Sequence, residues 1–132
     1  MIFEFYGEPV AKGRARVFKD RAGNIRGVTP TKTRAYEDSI KLQAIEQMKN
    51  EPMFDGALLL RVDIFRSFPK SMSKKKRAEA LPVTRPDLDN YVKAIKDALS
   101  GIVWYDDSQV VSLLARKFYR DKPGVFIEIV NL

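Results

Sequence analysis

The chain has 132 residues, with 24 Lys plus Arg against 17 Asp plus Glu, a formal charge of +7, and neither His nor Cys. The two absences exclude a Ser-His-Asp triad, a Cys-His dyad, histidine acid/base work and Cys/His zinc sites, so any chemistry must run on carboxylates, Lys or Arg, hydroxyls or a bound hard cation. The length fits one domain, 1–132; no apolar run approaches the roughly 18 residues of a membrane span and the N-terminus lacks a secretory pattern, so a cytoplasmic protein without a membrane partner is expected.

Ile2 to Tyr6 reads as a short strand with Phe3 and Phe5 on one face. The segment through Gly13, Gly23, Asn24, Gly27 and Pro30 shows no sustained period and reads as a long basic loop. From Thr31 to Lys49 the pattern is helical, with Tyr36, Ile40, Ala44 and Met48 four apart and Leu42 and Ile45 widening the buried face. Leu58, Leu60, Val62 and Ile64 alternate with Leu59, Arg61, Asp63 and Phe65, as in a strand. Pro82 and Pro86 hold off the next helix until Asp87; Leu88, Tyr91 or Val92, Ile95 and Leu99 form its inner face, and Gly101 stops it. Ile102 to Tyr105, Val110 to Tyr119 and Val125 to Val130 read as strands, the last two joined by Asp121-Lys122-Pro123-Gly124 as a hairpin. The expected order is βαβαβββ: an α+β domain with a mixed β-sheet and two main helices packed on one face.

The charge is segregated. Residues 11–34 hold Lys12, Arg14, Arg16, Lys19, Arg21, Arg26, Lys32 and Arg34 against Asp20 alone, a net +7. Residues 66–77 add Arg66, Lys70, Lys74, Lys75, Lys76 and Arg77 without an acid, leaving the remainder at −6. Such segregation is the footprint of a phosphate-backbone binder, although solvated loops carry charge as well.

The acids gather elsewhere. Asp87 and Asp89 open a predicted helix, and Asp89, Lys93 and Asp97 follow one another at i,i+4 on a stripe free of apolar residues. A second pair, Asp106-Asp107, follows Trp104-Tyr105, and a helix-strand hairpin is expected to return it to the helix start. Each piece alone has an ordinary reading as an N-cap, an acidic first turn or a polar turn. Three carboxylates converging within about 4 Å would repel by roughly 4 kcal/mol per pair at an effective dielectric near 20, which a divalent cation relieves. An all-oxygen set selects Mg²⁺, with Mn²⁺ as substitute. Beside basic segments, this is the equipment of a metal-dependent phosphodiesterase. Lys93 either neutralises charge developing on the phosphate or forms an intrahelical pair with Asp89 or Asp97, worth about 0.2 to 0.5 kcal/mol. Trp104 and Tyr105 are core or base-stacking residues, core being favoured.

Arg85-Pro86-Asp87-Leu88-Asp89-Asn90-Tyr91-Val92-Lys93-Ala94-Ile95-Lys96-Asp97-Ala98-Leu99, followed by Gly101-Ile102-Val103-Trp104-Tyr105-Asp106-Asp107-Ser108-Gln109-Val110-Val111, closely resembles the RusA family of Holliday junction resolvases. A looser similarity covers Gly7-Glu8-Pro9-Val10-Ala11-Lys12-Gly13-Arg14-Ala15-Arg16, with Ala15 where many relatives have Pro. The resemblance implies a homodimeric, Mg²⁺-dependent endodeoxyribonuclease that nicks four-way DNA junctions symmetrically, with no small-molecule cofactor. It implies essential, metal-binding carboxylates at Asp87, Asp89 and Asp107 and the family's characteristic lysine, with a catalytic part, at Lys93. Asn90, Asp97 and Asp106 are candidates for hydrogen bonding around the site, Asp106 alternatively forming the turn. Lys12, Arg14, Arg16, Lys19, Arg21, Lys70, Lys74, Lys75, Lys76, Arg77 and Arg85 are the candidate DNA contacts. A two-fold dimer suits the symmetry of a junction, with Leu58 to Phe65 and Val110 to Tyr119 as candidate interface strands.

Overall fold

The computed structural model describes residues 1–13, 16–28 and 30–132 and, of Arg16, Val17, Phe18, Arg26 and Val28, the main chain. The elements are β1 (Ile2–Tyr6), β2 (Arg16–Lys19), β3 (Ile25–Val28), α1 (Thr31–Met48), β4 (Leu58–Arg66), α2 (Lys74–Arg77), α3 (Leu88–Leu99), β5 (Val110–Tyr119) and β6 (Gly124–Asn131). Four strands form one mixed sheet in the order β1-β6-β4-β5, with β4 and β5 parallel and the other pairs antiparallel. A parallel pair needs a crossover, and here residues 67–109, including α3, supply it.

Alternation along the strands explains the core. Phe3 and Phe5 of β1, Leu58, Leu60, Val62 and Ile64 of β4, and Val125, Ile127 and Ile129 of β6 bury one face of the sheet. The same cluster takes in Ile40, Ala44 and Met48 of α1 and Tyr91, Ile95, Ala98 and Leu99 of α3, so both long helices cover that face as expected. No described helix covers the other face. There Asp63, 4% exposed, accepts two hydrogen bonds from Arg116 of β5 at 3.0 and 3.1 Å and one from Arg61 at 3.1 Å.

Several expectations are corrected. The basic loop contains a β2–β3 hairpin, paired from Arg16↔Val28 to Lys19↔Ile25. Its turn is set by the Asp20 carboxylate, which accepts from the Ala22 and Asn24 amides at 3.0 and 2.9 Å; the strands were too short to show a period. Leu42 and Ile45 do not widen the buried face of α1, being 70% and 57% exposed, because the sheet reaches only the i,i+4 stripe. Residues 102–105 form a turn with isolated bridges from Trp104 to Phe54 and Ser100 rather than a strand. The segment 66–77 contains the one-turn helix α2, capped by Ser73. Finally, β5 and β6 are not a hairpin: β4 lies between them, and their connection crosses its end, where the Arg120 amide donates to Arg66 O at 2.8 Å.

The two outer edges of the sheet differ. Along β1, Gln43 and Gln47 of α1 bond the free main-chain groups: their Oε1 atoms accept from the Tyr6 and Glu4 amides, and their Nε2 atoms donate to the Tyr6 and Glu4 carbonyls. The edge of β5 has no such cover among the described residues, and Val111, Leu113 and Leu114 are exposed there.

Candidate metal and nucleic-acid site

Pro86 and the extended Asp87 precede α3, and Gly101 at φ +85° follows its last turn, so the amphipathic run has an unambiguous start and stop. Asp87 occupies the N-cap, but its carboxylate makes no capping bond. The ordinary explanation for an aspartate at this position is therefore not realised. Asp87 and Asp89 are both exposed, and neither carboxylate has a hydrogen bond or ion pair among the described residues. Both sit where the helix dipole favours anions. Arg85, Pro86, Asp87 and Asn90 line a cleft of about 380 Å³, whereas Asp89 lines a separate groove with Lys93 between α3 and β5.

The main chain leading into Asp87 is held from below. Lys117 Nζ donates to Thr84 O and to Pro86 O, both at 3.1 Å, and Arg66 Nη1 donates to Thr84 O at 3.2 Å. Sequence reasoning missed Lys117 as a site-building residue. Its signal was periodic: Leu113, Ala115, Lys117 and Tyr119 share the helix-facing side of β5, and a lysine in that row needs an acceptor.

Asp107 lies elsewhere. Its Oδ1 accepts from the indole Nε1 of the fully buried Trp104 at 2.9 Å, at the end of α3 opposite to Asp87. Between Asp89 and Ser100 the helix rises roughly 16 Å at about 1.5 Å per residue. An independent ruler agrees: β5 starts at Val110 beside Asp107 and reaches Lys117, which touches the α3 entry, after about 23 Å at 3.3 Å per residue. The expected return of Asp107 to the helix start does not occur within the chain. Among the described residues no group of three or more carboxylates is placed to hold one metal ion.

Trp104 belongs to the core as favoured, whereas Tyr105, 59% exposed, does not. Asp106 is the turn former: it accepts from Ser108 N at 2.8 Å in a capping box with Gln109, and that amide lowers its pKa. Gln109 ties the turn down through Phe54 O and Gly56 O, both at 3.0 Å. Trp104→Phe removes the donor to Asp107. A hydrogen bond to a charged group is worth roughly 1.5 to 3 kcal/mol, and the space left by the smaller ring in the core adds to its loss, so urea unfolding should show a loss within or above that range.

The basic candidates divide. Lys19, Arg21, Lys70, Lys74, Lys75, Lys76 and Arg85 are exposed. Arg77 is half-buried, with its guanidinium 5.0 Å from the Phe68 ring and Nε donating to Met72 O, so it builds the loop rather than standing free for phosphate. Lys12 is likewise engaged: its Nζ lies 2.8 Å from Glu37 Oε1 and 3.1 Å from Asp97 Oδ2, and its amide donates to Asn90 O at 2.9 Å. Burial pulls the Lys12 pKa down, but the bonds and charges of Glu37 and Asp97 outweigh it and the net shift is upward. Asp97 also meets Lys93, Nζ to Oδ1 at 3.0 Å; burial raises its pKa, and the two lysines more than reverse that. Arg14 lies outside the described residues, and Arg16 is placed by its main chain alone in β2.

The donor set and the bare Asp87–Asp89 pair fit a hard cation as far as one chain supplies it, and the exposed basic side chains fit a phosphate backbone. No described helix is long and apolar enough to cross a membrane. Comparison with known proteins bears on the nucleic-acid part of this chemistry. The chain is 41% identical over 134 residues to the uncharacterized protein YqaN of Bacillus subtilis (strain 168), covering 96% of this chain and 93% of that one. It is 35% identical over 88 residues to the crossover junction endodeoxyribonuclease rusA of Lactococcus phage r1t, covering 64% and 66%. The family description "Endodeoxyribonuclease RusA" matches residues 6–130, nearly the whole chain, and the protein therefore belongs to the RusA endodeoxyribonuclease family.

Proposed function

We propose that the protein is a Mg²⁺-dependent, structure-specific endonuclease that resolves four-way DNA junctions by paired symmetric nicks, as a homodimer, in DNA recombination and repair. The observation that carries this reading is the pair Asp87 and Asp89, an N-cap and first-turn acid without a partner among the described residues, in a chain of the RusA family. Mg²⁺ held there would supply polarisation of the scissile phosphate and acidification of the attacking water. Asp87 and Asp89 hold the cation; Lys93 offsets charge on the phosphate and the leaving 3′ oxygen, so that a 3′-hydroxyl and a 5′-phosphate result. Lys74, Lys75, Lys76, Lys19, Arg21 and Arg85 hold the backbone.

The homodimer has a chemical role in this reading. Asp107 is too far from Asp87 and Asp89 to complete their cation site within one chain, but a second copy can supply it. The open edge of β5 supports this. Antiparallel pairing of β5 with its copy sets the Val110 end of one strand beside the Tyr119 end of the other, and so brings Asp107 of one chain toward Asp87 and Asp89 of its mate. That pairing also covers Val111, Leu113 and Leu114 and the apolar groove of about 460 Å³ between α3 and β5, where Leu88, Val92 and Leu113 meet Asp89 and Lys93.

The deciding experiment compares a synthetic four-way junction, a flap and a plain duplex with Mg²⁺ and with chelator. Symmetric nicks on the junction, absent with chelator and at least tenfold slower on the other two, are expected. Equal rates on all three would leave a nuclease without junction specificity, and cleavage in chelator would remove the cation.

A further inference from the structure

Lys93 has two acids within reach on its own helix, Asp89 one turn before and Asp97 one turn after. It takes Asp97, at 3.0 Å, although Asp followed by Lys at i,i+4 is the better helical order and Asp89 carries no other partner among the described residues. The reason lies in what fixes Asp97. Its Oδ2 is held by Lys12, which is anchored in turn by Glu37 and by its own amide on Asn90 O. Asp97 and Glu37 have side chains only 23% and 12% exposed, so the Asp97 carboxylate is held from outside α3 as well, by the Lys12 side chain and through it Glu37 of α1, and its Oδ1 stands ready for Lys93, 60% exposed. An exposed i,i+4 ion pair contributes little to stability, so its consequence is positional.

We propose that Asp97 is the positioning residue of this site: by holding the Lys93 ammonium one turn along the helix, it keeps that lysine off Asp89, leaving Asp89 free for a divalent cation and two Lys93 N–H donors free for phosphate. The inference rests on the cation proposed at Asp87 and Asp89. It assigns Lys12 a matching part, since this lysine of the basic segment serves by fixing Asp97 rather than by meeting DNA. Without Asp97, Lys93 swings to Asp89 and competes with the cation.

The test is Mn²⁺ binding in the absence of DNA, followed by loss of the free-ion paramagnetic resonance signal, for native protein, Asp97→Ala, Asp97→Asn, Lys93→Met and the Lys93→Met/Asp97→Ala double variant. The Asp97 variants are expected to bind Mn²⁺ about fivefold or more weakly, and the double variant to bind at least as tightly as native, because the competing ammonium is gone. Asp97→Asn keeps the side chain's shape and guards against a merely unfolded alanine variant. A purely structural role for Asp97 predicts that the double variant is as weak as Asp97→Ala, and that result overturns the proposal, as does native affinity in both single Asp97 variants. Failure of the native protein to bind Mn²⁺, with cleavage unaffected by Lys93→Met, overturns the functional reading itself and this inference with it.

Discussion

Asp89→Asn is expected to lower Mg²⁺-dependent nicking of a four-way junction by about 10³-fold or more while leaving junction binding unchanged or tighter. The cation is asked to supply several kcal/mol of transition-state stabilisation, and each 1.36 kcal/mol is a factor of ten. The amide keeps the shape of the side chain but loses the charge that holds the cation, and it removes one anion from a surface meant for phosphate. Asp89 is exposed and has no protein partner among the described residues, so the fold should not suffer. Single-turnover cleavage, with binding measured separately in chelator, checks both halves; nicking at the native rate would remove Asp89 from the chemistry. The proposed division of the carboxylates between two chains adds a sharper result. Asp89→Asn and Asp107→Asn are each expected to be inactive alone, yet a refolded mixture should regain activity, because a mixed dimer contains one site with both native carboxylates. Such dimers cut one strand of the symmetric pair. A mixture as dead as its components would mean that each chain's carboxylates act by themselves.

Replacing Lys74, Lys75 and Lys76 together by Gln should weaken junction binding by about 10 to 100-fold at low salt and flatten its salt dependence. Each phosphate neutralised contributes a slope of about 0.9 in log affinity against log salt, so three contacts account for a change of up to about 2.7. These lysines are exposed, carry no ion pair among the described residues, and lie on the single turn α2 capped by Ser73, where no core side chain is at stake. Cleavage at saturating protein should change little, since none of the three lines the cleft at Asp87 or the groove at Asp89. An unchanged slope would move the DNA path away from this segment. Lys12 is the contrasting case: it counts as a cation in the composition, but its charge is spent on Glu37 and Asp97.

What the sequence made legible was whatever is local. Asp87, Asp89 and Lys93 stand in order along one helix, and the period of Tyr91, Ile95 and Leu99 oriented that helix correctly against the core. β4 was equally plain, because a two-residue alternation depends only on neighbouring residues. The position of Asp107 was not legible, since it depends on the direction in which β5 runs past α3 and on β4 separating β5 from β6. A short connection such as Arg120 to Pro123 suggests adjacent strands and cannot reveal a third strand between them. Charge segregation was correct as a count, but pairing is a three-dimensional property, so Lys12 and Arg77 were indistinguishable from Lys74 by sequence. Ordinary helix capping gave Asp87 a role that the structure withholds, and that discrepancy, more than the motif's acidity, motivates the site proposed at Asp87 and Asp89.

The glutamines of α1 bear on how many copies can assemble. Gln43 and Gln47 bond the Glu4 and Tyr6 main-chain groups as a neighbouring strand would, so the β1 margin offers no template for further strand addition. A sheet open on both margins could add chains without end and grow into a fibre. One that is sealed on β1 and open on β5 exhausts its pairing capacity after a single self-complementary contact. Among the described residues, two amide side chains of α1 thus leave β5 as the margin open to strand pairing, and the proposed pair of copies would use it up.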